Sequence, residues 1–506
     1  MPVSPPPWPQ EAKRLLSIAS SIDPNFFAVG GSVRDLFLKR PIHDLDLASF
    51  AASTLAKKLS AVFRVKQIVL DEENAVYRLI LPPQYKTTQQ IDIAQIQGKT
   101  IEDDLHRRDF TVNAMALSAS TKTLLDPRNG MKDIGKKILR CESEDILKSD
   151  PLRILRAFRL SAQLGFKIEK NTLKLIKNVK DLTLNPAGER IHSEILSLLE
   201  VPNSSRQLVM MDRCGVLTSL FPALEAQRDT AVEYYGKGGV LTHSLTAAER
   251  ADFLMSHLKL VFPKHYKAIS QSRRNIVILS ALLHDIAKPA TARMVKGRLH
   301  FFGHDQLGAE KVSELLELLR FSREEISLIQ SATRHHLRPG YLAEAPQITE
   351  RSLYRFFRDT GKDVLYTLLT AWADHTSYVP EKSIRGFLPL TQKPVGKGLE
   401  KVPQDLRKTL KHLQTVNLLV SRLLNPRKEV IPSPVVNGND IMKALKIPQG
   451  PEIGKILERI REEQSAGKIK NREEAFAFLL KKNFNAKNSK GAKASGSDPK
   501  NKGSKP

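Results

Sequence analysis

Asp44 and Asp46 stand two positions apart in the run HDLDLASF. Alternation along a strand would turn both carboxylates to one face. Carboxylates that close repel and raise each other's pKa unless a cation lies between them. Their hard oxygen donors suit Mg²⁺, which is usually held by one or two carboxylates together with substrate phosphates. Upstream, Gly30 and Gly31 end the apolar run FFAV, with twelve residues between Gly31 and Asp44. A glycine pair lets the backbone come close to phosphates, and the helix start expected behind it offers unpaired N–H groups to an anion. This is the layout of a nucleotidyl-transfer site.

Further along, Asp92 lies in IDIA on an alternating strand pattern and is a candidate third carboxylate from a neighbouring strand. The run RRDFTVNAMA gathers Arg107, Arg108 and Asp109 at one end of an apolar stretch read as helical. Guanidinium groups there suit phosphate and ribose, because their fork of donors is always charged. In SDPLRILRAFRLSAQLGF, Asp150, Arg153, Arg156 and Arg159 recur every third residue, as if along one helix face, while Leu152, Leu155, Phe158 and Leu160 pack the other side. A carboxylate accepts from an exocyclic amine and Arg donates to ring or carbonyl acceptors. A separate constellation follows: His243, His284-Asp285, His304, His335-His336 and Asp374, all on helical patterns. Imidazole and carboxylate suit divalent transition metals or Mg²⁺, and an aspartate buried unpaired inside an apolar helix would be costly.

The string GGSVRDLFLKRPIHDLDL, Gly30 to Leu47, resembles the nucleotide-binding signature of the DNA polymerase β superfamily. Its full pattern, GGxVRDxxLxRxxxDxD, resembles the class II tRNA nucleotidyltransferase and bacterial poly(A) polymerase family. The resemblance implies an α+β chain, with a polymerase-β-like head of mixed sheet and helices followed by a largely α-helical body. It implies Asp44, Asp46 and Asp92 as catalytic carboxylates, Asp44 and Asp46 holding Mg²⁺. It places the nucleotide on Gly30, Gly31, Arg34, Arg108, Asp109, Asp150, Arg153, Arg156 and Arg159, with Asp150 and Arg153 as an amino-acid template for the base. Many members have Glu before that aspartate; here it is Ser149, which puts the outer support of the pair in question. AGERIHSEI matches the family's neck motif, where Glu189 and Arg190 would brace helices. The order His…His-Asp…Asp resembles the HD metal-dependent phosphohydrolase domain, implying His243, His284, Asp285 and Asp374 as ligands of a second divalent transition metal. In this family that domain is associated with activity on 2′ and cyclic phosphates.

The expected activity is addition of CCA, or part of it, to the 3′ end of tRNA from CTP and ATP. A poly(A) polymerase is the first rival, but AVFRVKQIVL stands where those enzymes generally carry a G-[RK]-[RK]-F string. CC-only or A-only addition is the second, a choice that the segment between Ala48 and Ile91 influences in the family. An RNA-binding repair protein working through the HD site alone is the third.

To position these groups the 506 residues need several domains. The expected division is a head at 1–140 with a flexible proline-rich arm at 1–10, and a helical neck with the base-recognition helix at 141–235. An HD-type domain at 236–390 and a helical RNA-binding region at 391–480 follow, then a disordered basic tail at 481–506. Within the head, FRVKQIVL and AVYRLIL read as strands and LLDPRNGMKDIGKKILR as a hairpin turning at DPRNG. PQGPEIGKIL reads as a phosphate grip ahead of a basic helix. A net charge of +26 points to a polyanionic partner, nucleic acid rather than membrane. Two cysteines, Cys141 and Cys214, cannot build a disulfide framework. With no bilayer-length apolar run and no leader pattern at the start, a cytoplasmic location is expected.

Overall fold

A computed structural model describes residues 5–425 and 429–481. The first residues of the proline-rich arm and the basic tail beyond Lys481 lie outside the described residues. Trp8, near the arm's end, packs against the core ahead of the Gln10–Ile22 helix. The head is one sheet of β1 (Phe27–Val29), β2 (Asp44–Ser49), β3 (Gln67–Asp71), β4 (Val76–Ile80), β5 (Gln90–Gln95), β6 (Ala116–Ser118) and β7 (Leu124–Leu125), in the order β3-β4-β5-β2-β1-β6-β7. β2 and β5 run parallel with Asp46 opposite Asp92, and the other neighbours are antiparallel. A parallel pair needs a crossover. The Ala52–Phe63 helix and the β3–β4 hairpin supply it. Leu45 and Leu47 are buried, so Asp44 and Asp46 are left on the opposite face of β2.

Several local expectations are corrected. FRVKQIVL is strand only from Gln67, because Phe63 ends a helix and Arg64 turns the chain at a φ of 54°. The apolar stretch after Arg107-Arg108-Asp109 is not a helix but a 3₁₀ turn, Thr111–Asn113, leading into β6. Phe110, Val112, Ala114, Met115 and Ala116 are all fully buried, and a short apolar run buried all round carries no period to separate helix from strand. DPRNG opens a helix, Gly130–Lys136, rather than a hairpin. The Asp126 carboxylate accepts the first helical N–H groups, from Gly130 at 2.6 Å and Met131 at 2.9 Å.

The helical body shares one continuous apolar core with the head, from Leu15 to Val420. Five of its helices, Gly239–Ser256, Arg274–Leu283, His304–Leu318, Arg323–His335 and Val364–Ser377, pack around the histidine constellation. The Arg407–Leu423 helix buries Leu410, Leu413, Val416 and Leu419 against them, so this part of the 391–480 region belongs to the same body. A second, smaller core between Val436 and Leu479 forms the C-terminal unit. The Pro451–Ser465 helix there is not basic: it carries Glu452, Glu458, Glu462 and Glu463 against Lys455, Arg459 and Arg461. Its acids pair with a guanidinium row on the Glu350–Thr360 helix, Arg351 with Glu463, Arg358 with Glu458, and Arg355 with Glu462 at 2.6 Å. No helix among the described residues is long and apolar enough to cross a membrane.

Candidate functional site

Gly30, at a φ of 64°, turns the chain from β1 into the Gly30–Phe37 helix. A Cβ at Gly30 would come within 3.0 Å of Arg108 Nη1, and one at Gly31 within 3.2 Å of Asp46 Oδ2. The glycine pair is therefore moulded to the second aspartate and to Arg108. Ser32, unnoticed in the sequence, ties the helix to β2: its Oγ donates to the Asp44 carbonyl at 3.0 Å and accepts from the Asp46 N–H at 2.6 Å.

Asp44 is exposed and Asp46 partly buried. Burial first, then the Asp92 charge, pushes the Asp46 carboxyl up to about 6, while Arg108 and Arg156 pull the other way. The same two causes raise Asp44. Asp92 is taken by Arg78 on β4, through Nε to Oδ1 at 2.8 Å and Nη2 to Oδ2 at 2.7 Å. Arg78 was invisible in the sequence because it becomes a neighbour only when β4 pairs with β5. Three carboxylates brought together on the paired inner strands β2 and β5, all oxygen donors and with Asp92 raising the pKa of the other two, fit a divalent cation.

Arg34 is turned inward. It donates to Asn113 Oδ1 at 2.6 Å and pairs with Asp35 at 2.9 Å. Asn113 in turn donates to Asp109 at 3.1 Å, and Asp109 lies 2.6 Å from Arg156 Nε. The chain Arg34–Asn113–Asp109–Arg156 joins the glycine turn, the RRD segment and the Leu152–Leu164 helix. Arg108 is steered by Asp104 at 2.9 Å. Beneath it, the buried Arg128 donates to the Arg108 carbonyl at 2.7 Å. Neither Arg128 nor Asn113 had a sequence signal beyond the motif that contains or flanks it.

Asp150 does not share a helix face with the arginines. It sits in extended conformation between the Glu144–Ser149 and Leu152–Leu164 helices, because a residue before proline, here Pro151, is held out of the helical region. One of its oxygens caps the Leu152 N–H at 3.3 Å and the other takes Arg190 at 2.9 Å. Arg153 donates to the Ile146 carbonyl at 2.8 Å and to Ser149 Oγ at 3.0 Å, so Ser149 does serve as a support. Arg159 points away, to Glu194 at 2.6 Å and Gln163 at 2.7 Å. Glu189 lies out at the surface, 3.6 Å from Arg320.

The second site is built of imidazoles with anchored far nitrogens. His284, His304 and His336 face the carbonyls of Ala281, Phe301 and Thr333 through Nδ1 at 2.8, 2.6 and 2.7 Å, and His243 Nδ1 faces Ser377 Oγ at 3.1 Å. Such contacts fix the tautomer and leave Nε2 free for a metal. The Nε2 atoms converge on two carboxylates: His243 lies 3.2 Å from Asp374 and 3.3 Å from Asp285, His284 lies 3.1 Å from Asp285, and His304 lies 3.4 Å from it. His336 completes the ring and is pushed down to about 3, first by burial and then by its histidine neighbours, so it is neutral, the form in which an imidazole can ligate a metal. Burial opposes ionisation of Asp285, but His284 and Lys288, whose Nζ is 2.5 Å away, hold its carboxyl well below the usual range. Both Asp285 oxygens are buried, facing among the described residues only the Lys288 ammonium and imidazole Nε2 atoms, and together with Asp374 they complete a nitrogen-and-oxygen donor set that fits a divalent cation. The ligand atoms form two overlapping sets, His243–His284–Asp374 and His284–Asp285–His336. His335, the first of the adjacent pair, turns away from the cluster; burial and the neighbouring arginines lower it to about 4.

Residues 26–140 match the poly A polymerase head domain, 165–228 the "Probable RNA and SrmB- binding site of polymerase A", 240–378 the HD domain, and 432–479 a tRNA nucleotidyltransferase domain 2. A CC-adding tRNA nucleotidyltransferase of Thermus thermophilus is 28% identical over 462 residues, covering 90% of this chain and 93% of its own. A multifunctional CCA protein of Neisseria gonorrhoeae is 31% identical over 324 residues, covering 62% of this chain and 73% of its own. The solved structure of a Thermotoga maritima CCA-adding enzyme complexed with tRNA shares the fold, with a TM-score of 0.60 at 20% identity over 94% of this chain and 96% of that one.

Proposed function

Because the chain belongs to the tRNA nucleotidyltransferase family, we propose that it adds the 3′-terminal CCA, or part of it, to tRNA from CTP and ATP without a nucleic-acid template. The observation that carries this reading is the convergence of Asp44, Asp46 and Asp92 with Arg108 and Arg156 beside the glycine turn. Asp44 and Asp46 would hold the divalent ion, and their oxygen-only donor set makes Mg²⁺ the expected one. Such an ion supplies charge that activates the RNA 3′-hydroxyl and stabilises the departing pyrophosphate. The protein's own part is to place the nucleotide. Gly30 and Gly31 leave room for its phosphates, Arg108 and Arg156 offer them guanidinium donors, and Asp109 and Asn113 hold Arg156 and Arg34 in place.

We read Asp150 and Arg153 as the pair that meets the base edge, since they flank the start of the helix that carries Arg156. The Asp150 carboxylate has lone pairs beyond those used by Leu152 and Arg190, enough to accept from the amine of cytosine or adenine. Arg153→Ala should therefore loosen base choice more than it weakens nucleotide binding. Discrimination against GTP and UTP is expected to fall about tenfold or more, the scale of one directed base contact. Addition assays with each nucleotide alone measure this, and unchanged selectivity would remove the template assignment.

Partial addition is a specific second reading. The CC-adding relative aligns with 90% of this chain, whereas the multifunctional CCA relative aligns with 62%. In the HD region, His243, His284, Asp285 and Asp374, joined by His304 and His336, would hold a divalent transition metal able to polarise a phosphoryl oxygen. A cytoplasmic location fits the free, buried Cys141 and Cys214.

A further inference from the structure

Beside the histidine cluster stands a small hairpin, Ala292–Val295 paired with Arg298–Phe301, that none of the roles above uses. It leads directly into a cluster ligand, since the Phe301 carbonyl faces His304 Nδ1 at 2.6 Å. Its surface is unusual for a solvent-facing element. Met294 and Phe302 are each 66% exposed, and Tyr341, across the cleft, is 63% exposed. His300 and Phe302 stack at 5.0 Å with their planes 6° apart, presenting a flat aromatic face. Arg293, Lys296 and Arg298 stand on the same hairpin, and none of the three makes an ion pair among the described residues. Lys288, His300, Phe302, His304, Asp305 and Tyr341 line a cleft of about 360 Å³ that reaches from this face to the cluster.

Exposed aromatic rings next to unpaired cations are what single-stranded nucleic acid requires: stacking faces for bases and positive charge for the backbone. A duplex end offers no unstacked base to such a surface. We propose that this lip binds the 3′-terminal nucleotide of a single-stranded RNA, its base against Phe302 and Tyr341 and its terminal phosphate turned toward Lys288 and the histidine cluster. The orientation of the phosphate rests on reading that cluster as a metal centre; the stacking does not.

The test uses the full chain carrying Phe302→Trp as a local reporter, with Mn²⁺ present. The probe is a short single-stranded RNA ending in a phosphate; the same sequence as a duplex and inorganic phosphate alone are controls. Single-stranded RNA should quench the tryptophan, and Tyr341→Ala should weaken that binding about tenfold, the scale of one lost base stack. Inorganic phosphate should not quench. Absence of quenching, equal quenching by the duplex, or wild-type affinity in Tyr341→Ala would each overturn the proposal. Quenching in a protein that retains no metal after dialysis would sink the metal-centre reading and leave the stacking lip standing.

Discussion

Asp46→Asn is expected to abolish nucleotide addition and at the same time raise the melting temperature of the metal-free protein. The loss should reach roughly a thousandfold or more, since several kcal/mol of charge stabilisation depend on the ion this carboxylate helps to hold. The gain in stability follows from the raised pKa. In the folded state the Asp46 carboxyl is pushed up to about 6, above the ordinary aspartate value, because burial and Asp92 disfavour the charge. The folded state therefore binds the proton more tightly, and stability falls as pH rises from about 4 through 6. At pH 8 the ionised group is a liability, worth about 1–2 kcal/mol after allowance for its partial exposure to solvent, and neutral Asn removes it. Calorimetry should show the variant more stable at pH 8, equal near pH 4, and no longer ahead once Mg²⁺ is saturating. A variant less stable at pH 8 would contradict the picture of a repelling carboxylate site.

Asp285→Ala should strip the histidine cluster of its metal and destabilise the protein by about 3–5 kcal/mol, the cost of leaving a buried charge without its partner. The stranded charge is Lys288, 8% exposed, whose Nζ lies 2.5 Å from Asp285. Adding Lys288→Ala should recover part of that loss without restoring metal. Metal content by mass spectrometry and unfolding by denaturant measure the two effects separately. A double variant less stable than Asp285→Ala alone, or metal retained by the single variant, would contradict the arrangement. Neither change touches the head, so the folded protein should still add nucleotides.

The chemistry-bearing residues were legible wherever the chain itself brings them close. Asp44 and Asp46 share a strand, the glycine pair precedes the helix that meets them, and the His-Asp dipeptide lies inside one apolar run. What stayed hidden came from partners distant in sequence. Arg78 meets Asp92 only through strand pairing, Arg190 reaches Asp150 across forty positions, and Asn113 finds Arg34 across seventy-nine. Asp150 was misplaced for a local reason, the proline behind it, which a count of every third residue overlooks. The helix expected after the RRD motif failed because complete burial erases periodicity. The acidic face of the Pro451–Ser465 helix makes sense only beside the arginine row that it meets.

The decisive assay gives the purified protein and Mg²⁺ three tRNA transcripts, ending at the discriminator base, after C and after CC, with CTP, ATP or both. A tRNA nucleotidyltransferase should stop at or before the completed CCA: three nucleotides in all, two Cs alone, or a single A on the CC end. Long A tracts, especially on a generic short RNA, would contradict it.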